Sequence, residues 1–248
     1  MINPIDLTGK TILVTGASSG IGRETSVHLS KLGANIIMIA RNIDNLKGTL
    51  SRMEGKAHKI YSYDLKKIEG IETLVQNIVD LNGPLNGFVH CAGISIMRPV
   101  KLIKYDFLHE MMLINFYSFV ELVRCLSKKS KSKEGASFLG ISSVAANKGN
   151  KSQGAYSASK AALDSIIKPM AKELSNRKIR VNTILFGMIK TEMYKGFLEQ
   201  GGDTTVWNDQ YMGIGETIDA ANAIAFLLSD ASKFITGTGL VVDGGYLS

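Results

Sequence analysis

Ser143, Tyr156 and Lys160 bring together three side chains able to hold a carbonyl oxygen and move a proton. Tyr156 and Lys160 are four residues apart in a segment with a helical pattern, so they stand one above the other on one face. A phenol with an unperturbed pKa of about 10 is a poor base at neutral pH, and a neighbouring ammonium favours the phenolate, which makes the pair a proton shuttle. The same spacing is also an ordinary surface pair on many helices. Ser143 sets this one apart: it lies thirteen residues upstream, at the end of an apolar run that reads as a strand, where a parallel sheet presents its functional groups. Ser142 precedes it, and the spacing to Tyr156 favours Ser143 as the reacting hydroxyl.

A second constellation lies near the N-terminus. TGASSGIG, Thr15 to Gly22, comes directly after an apolar run and opens a helical segment. Gly16, Gly20 and Gly22 let the backbone turn tightly and approach a pyrophosphate, whose charge suits a helix N-terminus; Ser18, Ser19 and Ile21 complete the turn. The competing reading is a plain strand-to-helix turn, and three glycines coinciding with two serines weigh against it. The second apolar run ends in IARN. A carboxylate at this point would bond the ribose 2′-hydroxyl of NAD, whereas an arginine accommodates a 2′-phosphate. With no acid there and Arg41 available for a bidentate contact, the expected cofactor is NADP(H). The alternative for Arg41 is a solvated residue starting the next helix.

The elements that would hold both constellations together are legible along the chain. β-branched apolar runs begin at Thr11, Asn35, His58, Leu85, Ala136, Ile179 and Gly239. Helical patterns separate them at about 20–33, 42–53, 66–81, 104–129, 155–176 and 216–229. Continuous apolar strands alternating with helices are what a parallel sheet covered on both faces requires, and right-handed crossovers place helices on both sides. The expectation is one α/β domain over 1–248, a Rossmann-type doubly wound parallel sheet of about seven strands. Length alone, 248 residues, allows one large domain or two small ones, but no break in composition divides the chain. Two stretches are irregular. SKKSKSKEG, 127–135, reads as a solvated helix end and turn. The segment 191–215, with Phe197, Trp207 and Tyr211, is either a substrate loop or a surface excursion packed back on the domain.

Hydrophobic residues at 45% and charged residues at 21% exclude wholesale disorder and a coiled-coil rod. The 25 glycines against 4 prolines call for bare backbone at particular points rather than a linker. A net charge of +7 favours anionic partners, but the basic residues are dispersed without a recognition motif, so nucleic acid is not expected. Cys91 and Cys125 make no disulfide framework, and His28, His58, His90 and His109 are too scattered for a metal site. The N-terminus lacks the pattern of a signal peptide and no uncharged apolar run approaches ~18 residues, so a cytoplasmic protein without a membrane partner is expected.

The glycine turn resembles the TGxxxGIG cofactor motif of short-chain dehydrogenase/reductases, and the resemblance extends over nearly the whole chain. Asp64 in YDL, CAG at 91–93, Asn115, Ser143, YSASK at 156–160, Thr191 and VDGG at 242–245 come in the family's order and spacing. It implies Tyr156 as general acid/base, Ser143 as the hydroxyl that steadies the substrate oxygen, Lys160 as the group that lowers the tyrosine pKa and binds ribose, and Asn115 as the holder of a water. Cofactor contacts are implied for Ser18, Asp64, Leu65, Cys91, Ala92, Gly93, Gly187, Ile189 and Thr191, together with Tyr156 and Lys160. The reaction implied is hydride transfer between a nicotinamide and a carbonyl carbon, with Tyr156 supplying the proton.

Two departures from the family pattern stand out. FGMIKT, which with Asn182 resembles the PGxIxT segment along the nicotinamide, has Phe186 in place of proline, and the usual NNAG reads HCAG, with His90 and Cys91 in place of asparagines. Cys91 is expected as a small buried residue and His90 as a strand-end hydrogen-bonding group. The general layout, including ITGTGLVVDGG, is most similar to 3-oxoacyl-[acyl-carrier-protein] reductases of fatty acid biosynthesis. This implies a 3-oxoacyl thioester substrate and an acidic acyl carrier protein docking on Arg177 and on Lys129, Lys131 and Lys133, for which ordinary solvated surface is the alternative. A different small ketone, sugar or polyol as substrate stays open, as does a non-catalytic NADP-binding protein. The resemblance also implies a homotetramer built through the helices near 104–129 and 155–176 and the C-terminal segment.

Overall fold

A computed structural model describes residues 3–248, with Val206 and Trp207 described by their backbone alone. Strands β1 (Thr11–Thr15), β2 (Asn35–Ala40), β3 (Lys59–Ser62), β4 (Leu85–His90), β5 (Ser132–Ser143), β6 (Arg180–Phe186) and β7 (Gly239–Val242) form one sheet in the order β3-β2-β1-β4-β5-β6-β7. Every neighbouring pair is parallel. The sheet is wound outward in both directions from β1 and β4, and at that switch point the loops leaving the two strands part and open a crevice.

Helices α1 (Gly20–Lys31), α2 (Ile43–Leu50), α3 (Ile71–Asn82), α4 (Tyr105–Met112), α5 (Ser118–Leu126), α6 (Gly154–Leu174), α7 (Glu192–Glu199) and α8 (Thr217–Leu228) complete the chain. Side chains alternate across each strand, and both faces of the inner strands are dry. Leu13, Ile37, Ile39, Phe88 and Phe138 pack with residues of α3, α5 and α6, while Ile12, Val14, Ile36, Met38 and Leu139 pack with α1, α2 and α8. A strand buried on both sides must be apolar at consecutive positions, which is why these runs do not alternate with polar residues. The doubly wound α/β architecture expected from the sequence is the one found.

Three local expectations need correction. The segment 104–129 is not one helix: α4 and α5 are joined by a π-helical turn over Leu113–Tyr117. The tract 127–135 is not all solvated, because Lys131 and Ser132 are buried, β5 starts at Ser132, and the Lys131 carbonyl accepts from Leu85 N at 3.0 Å. Within 191–215 lie α7 and a 3-10 turn, Thr204–Trp207. Phe197 packs inward and Tyr211 is 71% exposed; the side chain of Trp207 lies outside the described residues.

Candidate active site

The glycine turn joins β1 to α1 and sits against the end of β4. Gly16 has φ +65°, and a Cβ there would meet Ala92 N at 2.7 Å and the Cys91 carbonyl carbon at 2.8 Å. At Gly22 a Cβ would fall 2.3 Å from the Gly16 carbonyl oxygen. Both positions require glycine, one by close approach of strand ends and the other to seat the helix on the turn. Ser19 precedes α1 with extended backbone, its hydroxyl caps no amide, and the first turn of the helix carries no acid. This helix N-terminus is thus left to receive an anion. At the open rim, Arg41 comes directly after β2, is exposed, and takes part in no ion pair among the described residues. Asp64 and the buried Leu65 close the same wall after β3.

The other half of the crevice is buried. Ser143 ends β5, and its Oγ accepts from Ala145 N at 3.1 Å, which leaves its proton free to donate. Tyr156 lies in the first turn of α6, beside the Ser143 hydroxyl. Burial pushes the phenol above its usual value and the serine hydroxyl pulls it part of the way back. Lys160, 4% exposed, donates from Nζ to the Ile141 carbonyl at 2.7 Å and lies 5.6 Å from the Tyr156 ring centre. Burial brings its pKa down to about 8, against the opposing pull of Asp164 and Cys91. At neutral pH the lysine therefore keeps its charge by a narrow margin.

Asn115 sits in the π turn and is wholly buried. Its Oδ1 accepts from Ile94 N at 2.8 Å; its Nδ2 donates to Ile94 O at 3.0 Å and to Ser159 Oγ at 3.0 Å. The side-chain amide is therefore fully engaged in fixing the loop after β4. Gly93 passes between Asn115 and Lys160, where a Cβ would lie 3.3 Å from Asn115 Oδ1 and 3.5 Å from Lys160 Nζ. Each departure at the end of β4 has a local explanation. His90 is wholly buried, lies 3.0 Å from Thr15 Oγ1, 3.1 Å from Ile114 O and 3.2 Å from Ser118 Oγ, and burial drives its pKa down to about 3. It is a neutral tie between β1, β4 and the π turn. Cys91 lines the crevice with its thiol pushed up to about 12 by burial, so it carries a proton rather than a reactive thiolate.

After β6, Phe186 stands in register with Ser143 on β5 and lines the crevice. Gly187, Ile189 and Thr191 come next, and Thr191 caps α7 through Tyr194 N at 3.2 Å. A Cβ on Gly20 would lie 3.3 Å from Thr191 Cγ2, so the glycine turn and this loop approach one another across the crevice. Sequence reasoning missed Gln210. It is 5% exposed, accepts from Met188 N at 2.9 Å and donates to Met188 O at 3.1 Å, pinning the returning end of 191–215 to the loop after β6. A glutamine between the exposed Asp209 and Tyr211 carries no signal of this role. The resulting crevice, about 420 Å³, is lined by every residue expected to bind cofactor and by Ser143, Tyr156 and Lys160. Asn115 stands behind that wall rather than on it.

Residues 16–247 match the family model described as Enoyl-(Acyl carrier protein) reductase. A short-chain type dehydrogenase/reductase from Mycobacterium ulcerans superposes with a TM-score of 0.87 at 30% identity, covering 98% of this chain and 91% of that one. The chain is a short-chain dehydrogenase/reductase. Carbonyl reductase family member 4 of Danio rerio is 33% identical over 237 residues, 94% of this chain and 96% of the relative. The 3-oxoacyl-[acyl-carrier-protein] reductase of Haemophilus influenzae is 33% identical over 243 residues, 98% of this chain and 100% of the relative. As a short-chain dehydrogenase/reductase it is an oxidoreductase that uses a nicotinamide dinucleotide, and relatives of this kind are named for carbonyl reduction.

The basic residues expected to meet a carrier protein lie at the other end of the sheet, where β5 and β6 begin. Two of them are already engaged. Arg177 donates to Ser127 O at 2.7 Å and to Ser132 O at 2.6 Å, and the Lys131 ammonium bonds the Gln76 amide oxygen. Lys129 and Lys133 are exposed. Among the described residues no helix is long and apolar enough to cross a membrane.

Proposed function

We propose that this short-chain dehydrogenase/reductase is an NADP(H)-dependent reductase that converts the 3-oxo group of an acyl thioester to a secondary alcohol. One observation carries the reading: the Ser143 hydroxyl, the Tyr156 phenol and the buried Lys160 ammonium share one wall of the crevice whose far end is the glycine turn. The bound nicotinamide supplies the hydride. The protein's part is to hold the carbonyl and deliver a proton. Ser143, which accepts from Ala145 N, keeps its O–H to donate to the substrate oxygen, and Tyr156 donates its proton to that oxygen as negative charge develops. A phenol held above its usual pKa in the free chain is a proton donor at neutral pH, which suits reduction. Lys160 has bonded one N–H to Ile141 and keeps the others for ribose and for the charge that eases proton loss from Tyr156. Asn115, its side-chain amide engaged with Ile94 and Ser159, stands behind Lys160 and would, as the family resemblance implies, hold the water that resupplies it.

NADP(H) is supported by Arg41, exposed at the rim directly after β2, and by the lack of an acid at that strand end, where a guanidinium would take a 2′-phosphate. The 3-oxoacyl thioester rests on the relatives named for that reaction. The relative named as a carbonyl reductase and the apolar lining of Phe186, Met188, Met193 and Phe197 support a second reading, reduction of simpler apolar ketones. If a carrier protein docks, Lys129 and Lys133 are the bases free to meet it, in a cytoplasmic homotetramer. Oxidation of NADPH and of NADH, each monitored over β-keto thioesters, small ketones and sugars, tests these points together. Fast turnover of a β-keto thioester with NADPH is expected; a preference for NADH removes the role given to Arg41, and turnover of ketones alone removes the thioester.

A further inference from the structure

We propose that Asp164 is a positioning residue for the reaction: a carboxylate one helical turn beyond Lys160, tied to the same strand end by Ser142, that holds the lysine in its charged form. The inference rests on the reading of Lys160 as the group that tunes Tyr156.

Tyr156, Lys160 and Asp164 succeed one another at intervals of four along α6 and so share a face. Ser142, 2% exposed, donates to Asp164 Oδ2 at 2.8 Å and lies 3.4 Å from the Lys160 carbonyl oxygen. The Thr183 hydroxyl of β6 also faces the carboxylate; both hydroxyls oppose the rise in pKa that burial imposes on it. The lysine it serves is in an unfavourable position. Its ammonium is out of water, bonds one backbone carbonyl, and forms no ion pair among the described residues. A lone buried charge tends to shed its proton, and a carboxylate several ångströms away in low dielectric resists that loss.

The groups facing Lys160 from other elements supply no negative charge at neutral pH. From β4 and the loop after it come His90, neutral with a pKa of about 3, and Cys91, protonated up to about 12. From the π turn comes the uncharged amide of Asn115. From α6 itself come the protonated Tyr156 phenol and Asp164. The carboxylate of Asp164 is thus the counter-charge. It also accounts for the paired serines at the end of β5: neighbours on a strand point to opposite faces, so Ser143 serves the substrate while Ser142 serves the lysine's partner.

The test reads Lys160 directly, by NMR titration of the protein carrying ¹³C-labelled lysine side chains. In Asp164→Asn, which preserves shape and the bond from Ser142, the Lys160 inflection is expected to fall by about one pH unit, a tenfold gain in acidity. Asp164→Glu is expected to restore most of it. Ser142→Ala, which keeps the carboxylate but removes its tie, is expected to give a smaller shift in the same direction. The alkaline limb of NADPH binding, measured by cofactor fluorescence, is expected to move with the lysine. A Lys160 titration unmoved in both Asp164→Asn and Ser142→Ala overturns the proposal. If the titration moves while the pH profile of reduction does not, Asp164 keeps this role and the coupling of Lys160 to Tyr156 is what fails.

Discussion

The two ends of the crevice are built on opposite terms. At the rim after β2 stands Arg41, one exposed charge in contact with water, to which the proposed function gives recognition of the 2′-phosphate. After β4 and β5, the groups are packed into the core: Asn115 is fully buried, Lys160 is 4% exposed, and each is anchored by backbone carbonyls or amides. An exposed contact can be exchanged without disturbing the fold, whereas a buried one is part of it. On the proposed assignment of roles, choice of cofactor would be easy to alter in this molecule and proton transfer would not.

The sharpest way to break this comparison is Tyr156→Phe. Loss of the proton donor is expected to lower kcat by about a thousandfold while leaving NADPH affinity within a few fold; stopped-flow turnover and fluorescence titration measure the two separately. Next is Lys160→Met, which is expected to abolish most activity and yet stabilise the protein. A lysine whose folded pKa is about 8 against 10.5 unfolded costs the fold roughly 3 kcal/mol below pH 8. Between those values the unfolded chain holds a proton that the folded chain has released. Wild-type stability thus gains on the variant as pH rises through that window, and denaturant melts at pH 7 and pH 10 would show the variant's advantage shrinking.

At the open end the expected effects are smaller. Arg41→Ala is expected to raise the KM for NADPH by about tenfold to a hundredfold, the worth of a charge-assisted bond, with the KM for NADH unchanged and no loss of melting temperature. Smallest is the double change Lys129→Glu with Lys133→Glu. If a carrier docks there, KM for the carrier-bound substrate rises about fivefold while a small thioester is unaffected, because exposed charges are screened by salt and contribute little individually. Equal behaviour of the two substrates would assign those lysines to plain surface.

Legibility in the sequence divides along the same line between packed and open regions. The inner strands could be read because burial on both faces forces unbroken apolar runs, as in NIIMIA of β2. The glycine turn could be read because Gly16 and Gly22 leave no room for a Cβ. The π turn could not, since the hydrophobic pattern of 104–129 continues through it and one added residue leaves no mark on periodicity. Helix α7 was hidden by Gly196 in its middle and by the mixed polarity of EMYKGFLE. Lys131 and Arg177 looked like solvated bases because sequence shows charge but not the carbonyls or amides that wait for it. Asp164 was within reach: extending the four-residue spacing of Tyr156 and Lys160 by one more step arrives at it, but the meaning of that step depends on Ser142 facing it from another strand.

The π turn at Leu113–Tyr117 also bears on which changes in chain length the protein tolerates. It holds one residue more than an α-helix would. Losing one residue there would let α4 and α5 fuse into a regular helix, with the flanking helices held nearly in place and the residues of the turn itself re-spaced. The amide of Asn115 would swing off the Ile94 backbone, and His90 would lose the Ile114 carbonyl. Three positions near the start of β5, Lys133 to Gly135, are by contrast exposed and carry no such tie to the site. Insertions and deletions should therefore accumulate in that bend and be absent from the helix junction, so that the number of residues between β4 and the end of α5 is held more firmly than their identity.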